Sequence, residues 1–234
     1  MGQQQYHLMN KKNSLLLPPQ FFENDFHKKL NYILQFKIDV LYLFDHLKNP
    51  IDETKPTYKL TEEVFNLYEK VNNKIKIGVC VLNVNTRYLG KLLKDILEPL
   101  LELKSISLGL GTGDNKYENH DFLYENNIED IICYILENKN FIHNESQLFL
   151  GGNSKEKLDL VKKYNLGINQ WMGLDSNFIK KQNVYNHLLN PVGSLSRCIA
   201  YENQLEFDYE KIHILKDSNL KIFQESIDKI FKNE

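Results

Sequence analysis

The stretch QLFLGGNSKEKLDLVKKYNLGINQW, residues 147–171, contains one complete repeat of the pattern that decides the fold. Its first part, Gln147–Leu150, is a largely apolar run that predicts a buried strand. A glycine-rich turn follows, and residues 155–164 have helical spacing. Residues 167–172 then predict a second strand. A strand, a helix and a strand in this order predict a parallel β-α-β unit with a right-handed crossover.

The same alternation runs along the rest of the chain. Helical spacing predicts helices at 25–36, 61–71, 86–103, 127–137, 155–164, 177–189 and 220–231. Eight predicted strands that alternate with helices favour a closed (β/α)8 TIM barrel, an α/β fold, and an open doubly wound sheet is the alternative. Apolar runs predict strands at 14–17, 39–44, 75–82, 105–110, 147–150, 167–172, 194–201 and 212–215.

The composition is that of a globular protein with one domain. The chain has 234 residues, of which 42% are hydrophobic and 26% charged, and we expect a single barrel domain over 14–234 after an N-terminal tail, 1–13. A net charge of −2 gives no reason to expect a nucleic acid or an anionic membrane as partner. The N-terminus lacks the apolar run of a signal peptide, and no window approaches a membrane span. Three scattered cysteines indicate reduced thiols, so we expect a cytoplasmic protein.

A barrel of this kind carries its functional residues in the loops after the strands. The first candidate is the pair Asp45-His46, where a carboxylate and an imidazole could orient a substrate or move a proton. A turn-capping Asp beside a solvated His is the alternative. The second candidate is the turn with Asn83 and Asn85, whose amides both donate and accept hydrogen bonds and could meet the edge of a ring. It could equally be a plain β–α turn.

The third candidate follows the predicted strand 105–110 and reads Gly111-Thr112-Gly113-Asp114. A dinucleotide-binding fingerprint would open directly into a helix, whereas the residues that follow here are polar and loop-like. The glycines instead allow a flat ligand to approach the backbone closely, with Asp114 and Glu118 as nearby carboxylates.

The fourth candidate is Gly151-Gly152-Asn153-Ser154, directly before a predicted helix. Free N–H groups at a helix N-terminus suit a phosphate, and an ordinary turn is the alternative. Trp171, the only tryptophan, ends the sixth strand and could wall a ligand pocket or pack in the core. The lysine-rich helix faces are predicted to be solvated surface: Lys155, Lys157, Lys162 and Lys163. Arg87 and Arg197 are the only arginines.

Taken in order, these segments resemble the bacterial luciferase-like family of flavin- and deazaflavin-dependent oxidoreductases. Residues 36–47, FKIDVLYLFDHL, resemble the second strand of that family, which ends in Asp-His. Residues 76–82, KIGVCVL, resemble its third strand, and 107–113, SLGLGTG, resemble its Leu-Gly-x-Gly-x-Gly signature. Residues 150–154 and 163–167, LGGNS and KYNLG, resemble its phosphate turn and the end of the helix after it.

The resemblance implies a compact luciferase-like barrel that transfers hydride between a deazaflavin coenzyme, F-420, and a small organic substrate. His46 would lie over the coenzyme ring, with Asp45 assisting proton movement and Asp114 or Glu118 as a second acid or base. The turn 83–85 would lie where the family has a backbone bulge, often with a non-prolyl cis peptide. The candidate coenzyme-binding residues are Asn83, Asn85, Gly111, Thr112, Gly113, Gly151, Gly152, Asn153, Ser154 and Trp171.

Two other functions remain open on this resemblance. One is a monooxygenase that uses reduced FMN, and the other is a non-catalytic flavin-binding barrel. The family also implies a homodimer, and no metal is expected. No cluster of Lys and Arg for a substrate phosphate is apparent in the sequence.

Overall fold

The computed structural model describes residues 12–113, 117–118, 124–141, 145–200, 209–216 and 219–232. Within these residues eight strands pair in sequence order, all in parallel, and the last strand pairs with the first. The closed sheet confirms the predicted (β/α)8 TIM barrel and excludes the open-sheet alternative. The strands are β1 (Asn13–Leu16), β2 (Val40–Leu43), β3 (Lys76–Asn83), β4 (Ser107–Gly111), β5 (Gln147–Leu150), β6 (Gly167–Trp171), β7 (Leu195–Ile199) and β8 (Glu210–Ile214).

The helices bury apolar residues against the barrel. In the second helix Leu60, Val64, Leu67 and Val71 are buried, at the spacing of one helical face. None of the helices in the described part of the chain is both long and apolar enough to cross a membrane. The helices are α1 (Phe26–Ile33), α2 (Leu60–Val71), α3 (Leu89–Leu92), α4 (Glu98–Leu101), α5 (Ile128–Glu137), α6 (Lys155–Tyr164), α7 (Asp175–Tyr185) and α8 (Leu220–Phe231).

The helix predicted at 86–103 starts later and is not uniform. A π-helical segment, Leu93–Leu97, separates α3 from α4. Pro99 explains the interruption, because proline has no N–H to donate to the carbonyl of residue 95 and its ring crowds that carbonyl. The freed Asp95 carbonyl instead accepts a hydrogen bond from the Thr61 hydroxyl of α2 at 3.4 Å.

Side chains of the described strands fill the barrel interior. Successive strand residues point to opposite faces, so that Leu15 packs under the helices while Leu16 points into the barrel. Tyr42, Phe149 and Cys198 share this interior cluster and are completely buried. A filled interior leaves the loops at the carboxyl ends of the strands to build a site.

Strand β3 is irregular just before its carboxyl end. Its register with β4 shifts between Val79 and Leu82, and the Cys80–Val81 peptide bond is cis. The bulge and cis bond were predicted at the turn 83–85, and that position is wrong. Asn83 is again in register with Gly111, so the ladder is regular before the turn begins.

Candidate active site

A cavity of about 220 Å³ lies at the carboxyl ends of the strands and opens to solvent. Its lining comes from strands β3, β4 and β6, from the loops after β2, β4 and β5, and from helices α6 and α7. The predicted site residues that line it are His46, Gly111, Thr112, Gly113, Gly151, Gly152, Asn153 and Trp171. The lining residues that sequence reasoning missed are Cys80, Val81, Tyr117, Lys157, Asn169 and Lys181.

His46 is held from behind by a buried carboxylate. Its Nδ1 lies 2.6 Å from Oε1 of Glu118, whose side chain has no exposed surface. The other oxygen, Oε2, accepts the backbone N–H of Leu47 at 3.3 Å. A carboxylate at Nδ1 favours the tautomer with the proton on that atom, which leaves Nε2 as the nitrogen that can exchange a proton. Glu118 is not among the lining residues, so its geometry suits a positioning role toward His46.

Asp45, also a candidate for catalysis, is engaged in an ion pair away from the cavity. Its two oxygens accept hydrogen bonds from Nη1 and Nη2 of Arg87, both at 2.8 Å. Oδ2 also accepts the backbone N–H of Asn83 at 3.0 Å. Burial would lower the pKa of Arg87, but hydrogen bonding to Asp45 and its charge outweigh burial and raise it. Asp45 therefore ties the loop after β2 to the end of β3.

The two asparagines after β3 brace the loops around the cavity and do not line it. The Asn83 side-chain oxygen accepts the backbone N–H of Asn85 at 3.0 Å, and Asn85 Nδ2 donates to the Thr112 carbonyl at 3.2 Å. Gly113 has a φ of +90°, and a Cβ there would come within 2.7 Å of Asn83 Nδ2. A glycine is thus required where this turn passes Asn83.

The glycines on the ends of β4 and β5 make room for Val81. A Cβ at Gly111 would lie 2.7 Å from one Val81 methyl group, and a Cβ at Gly151 would lie 3.1 Å from the other. Val81 itself lines the cavity. The glycine-rich strand ends therefore seat an apolar side chain that forms part of the cavity surface.

The turn 151–154 leads into α6, whose first turn carries the cationic side chain of Lys157. Ser154 caps the helix by accepting the Lys157 backbone N–H at 3.3 Å. Lys157 Nζ donates to Thr112 Oγ1 at 2.9 Å, and it lies 2.8 Å from where a Cβ on Gly152 would be. Burial lowers the pKa of Lys157. The prediction that Lys157 is solvated surface is wrong, because a side chain in the first turn of a helix leans toward the N-terminus, which here is the cavity.

Lys181 of α7 is the second lysine on the cavity. Only 2% of its surface is exposed, and its Nζ donates to the Asn169 backbone carbonyl at 2.6 Å. Burial, and then the charge of Lys157, lower its pKa to about 8. A sequence signal did exist, since Lys181 occupies the buried stripe of α7 together with Phe178 and Tyr185. The cavity thus has a pair of lysines, Lys157 and Lys181, that the sequence analysis did not predict there.

Asp114 lies outside the described residues. Within them, no group of His, Cys, Asp and Glu side chains is arranged to hold a metal ion.

No protein-family model and no curated protein sequence matches the chain. Among solved structures, the chain is similar to the coenzyme F-420 dependent tetrahydromethanopterin reductase from Methanopyrus kandleri, with a TM-score of 0.53. What the two share is the fold. The two sequences are 12% identical, and the match covers 80% of this chain and 65% of the reductase. The chain thus spans less than two thirds of the length of that reductase, and the activity of one does not follow for the other from the fold.

Proposed function

We propose that the protein is an oxidoreductase that binds a deazaflavin coenzyme of the F-420 type and transfers hydride to or from a small organic substrate. The observation that carries this proposal is the arrangement of the cavity. Its lining combines an apolar surface with a cation at a helix N-terminus, and it includes His46, whose ring is held by the buried Glu118. The fold shared with an F-420 dependent reductase and the motif resemblance add support.

The lining residues fit a planar ring that carries a phosphate. Val81 and Trp171 offer apolar surface for a ring, and Thr112 and Asn153 offer hydrogen bonds to its polar atoms. The N-terminus of α6 and the Lys157 ammonium group offer an anion site. These groups would hold the coenzyme, which supplies the carbon that takes up or gives hydride.

His46 transfers the proton that accompanies hydride transfer. A substrate that loses hydride from a C–H bond also loses a proton from the adjoining O–H or N–H group. The Nε2 atom of His46 accepts that proton and returns it in the reverse reaction. Glu118 keeps the ring oriented through Nδ1 and stabilises the charged imidazolium. The Asp45–Arg87 pair fixes the backbone on which His46 stands.

A binding titration of the full chain tests this function. Trp171, the only tryptophan, lines the cavity, so its fluorescence reports ligand binding. We expect deazaflavin coenzyme to bind more tightly than FMN, and hydride transfer to be measurable from the bound coenzyme. A preference for FMN would favour the monooxygenase, and binding of neither compound would refute the proposal.

A matched pair of variants tests the phosphate site. Lys157→Met removes the cavity cation, whereas Lys162→Met removes an exposed lysine of the same helix. Loss of a charge-assisted hydrogen bond costs about 1.5–3 kcal/mol, so Lys157→Met should weaken coenzyme binding by a factor on the order of 10 to 100. Lys162→Met should bind as the parent does. The dephosphorylated deazaflavin should bind equally well to all three proteins, and an equal loss for it would contradict the phosphate assignment.

A further inference from the structure

Lys181 is a buried cation on the cavity that the proposed hydride chemistry leaves without a role. It lies within the buried stripe of α7, and its side chain reaches the cavity. An ammonium group has three N–H donors. The Asn169 carbonyl accepts one of them at 2.6 Å.

Among the residues that the structure describes, no carboxylate faces Lys181. Lys157 approaches from α6 and adds a second positive charge. Cys198 approaches from β7, and its Sγ lies 3.6 Å from that of Cys80. Glu118 is turned to His46 and the backbone of residue 47. In the described part of the chain, neither cavity lysine has an ion-pair partner.

A buried ammonium group without a counter-ion is unfavourable, because it has lost its hydration and gained no opposite charge. Even so, a pKa of about 8 keeps Lys181 mostly protonated at neutral pH. A negatively charged group in the cavity would supply the missing charge and accept the remaining N–H donors.

We propose that Lys181 binds a carboxylate or another oxyanion group of the substrate, which makes the substrate a small organic anion. This inference rests on the proposed function, which supplies the substrate. Lys157 is left for the coenzyme phosphate, because its Nζ stands at the Gly152 turn and the start of α6. Lys181 is anchored instead at Asn169 of β6. The two lysines therefore serve two different anions.

The experiment measures acetate and inorganic phosphate binding to the full chain, with and without bound deazaflavin coenzyme. Lys181→Met keeps a long apolar side chain in the buried stripe and removes the charge. Lys180→Met is the matched control, since Lys180 is its exposed neighbour on α7. We expect Lys181→Met to weaken acetate binding by a factor on the order of 10 to 100 and Lys180→Met to leave it unchanged.

Labelling of the unmodified protein gives a second readout that does not depend on the fold of a variant. At pH 8 an amine reagent followed by mass spectrometry should modify Lys181, and acetate should protect it. Equal labelling with and without acetate, or equal acetate affinity in Lys181→Met and the parent, would overturn the proposal.

The coenzyme arm separates the two possible sources of the anion. Acetate that still binds beside the coenzyme, and still depends on Lys181, supports a substrate site. If the coenzyme instead displaces acetate one for one, and Lys181→Met binds the coenzyme more weakly, then the anion at Lys181 is the coenzyme phosphate. That result would overturn the proposal of a substrate site. If no coenzyme binds while acetate binding still depends on Lys181, the anion site stands and the proposed function fails.

Discussion

Removal of the Arg87 guanidinium tests whether Asp45 holds the site together or takes part in the chemistry. The Asp45 carboxylate accepts three hydrogen bonds, two from the Arg87 guanidinium and one from the Asn83 backbone N–H. In Arg87→Met only the bond from Asn83 remains. The side chains of Asp45 and Arg87 are only 9% and 18% exposed. The carboxylate that remains is therefore poorly hydrated and has lost its counter-ion.

The size of the effect follows from this burial. Breaking a buried ion pair by removal of one partner costs about 3–5 kcal/mol. Some exposure remains at both side chains, so we expect the lower end, about 3 kcal/mol of unfolding free energy. For a chain of this size that loss corresponds to a fall in Tm of roughly 6–12 °C. Lys155→Met, which breaks an exposed pair with Asp159 on α6, should leave stability unchanged.

A double-mutant cycle with Asp45→Asn, read by urea unfolding, isolates the pair. We expect the two single losses to overlap, so that the double variant is more stable than their sum predicts by at least about 1.5 kcal/mol. Additive losses would refute the argument that the pair braces the loop. The turnover rate is the second measurement. If Asp45 only positions the loop, Arg87→Met and Asp45→Asn should lower the turnover rate by similar factors. A far larger loss in Asp45→Asn would restore Asp45 as a participant in proton transfer.

Three further perturbations test other parts of the site. His46→Ala should lower turnover by a factor on the order of 10² to 10⁴, with coenzyme affinity within about threefold of the parent, as measured by steady-state kinetics and titration. Affinity for acetate should fall as the pH rises from 7 through about 8, because Lys181 loses its proton there, and Lys181→Arg should abolish that fall. Gly109→Ala should destabilise the barrel by about 1–3 kcal/mol in urea unfolding, since its Cβ would lie 2.2 Å from the Phe149 ring, whereas Gly151→Ala, with its nearest atom at 3.1 Å, should cost much less.

The barrel was predictable because it depends on short-range patterns. Runs such as Val40–Leu43 are buried along their whole length, as expected of a strand in a parallel sheet that is covered on both faces. The loops after the strands were predictable as the place of the site for the same reason, since the strand order brings their ends together. His46, Gly111 and Trp171 reach the cavity from three of those ends.

The partners of the site residues depend on contacts between distant segments, which no local pattern encodes. Arg87 was visible as one of two arginines, but its pairing with Asp45 spans 42 positions. Glu118 was named as a second acid or base, but its contact with His46 joins residues that are 72 positions apart. Sequence reasoning could name these residues without assigning the contacts that define their roles.

The two lysines show how side-chain length defeats prediction from helix faces. Lys157 belongs to a lysine-rich segment that reads as solvated, yet its four-carbon stem carries the ammonium group back over the turn to Thr112. Lys181 stands on the apolar stripe of α7, where a buried lysine is costly. A buried lysine is tolerated when its charge binds a ligand. A lysine on an apolar helix stripe, such as Lys181, therefore indicates a functional site better than a lysine in a lysine-rich segment, such as Lys157. The buried Lys181 is the basis of the anion site that we propose for this cavity.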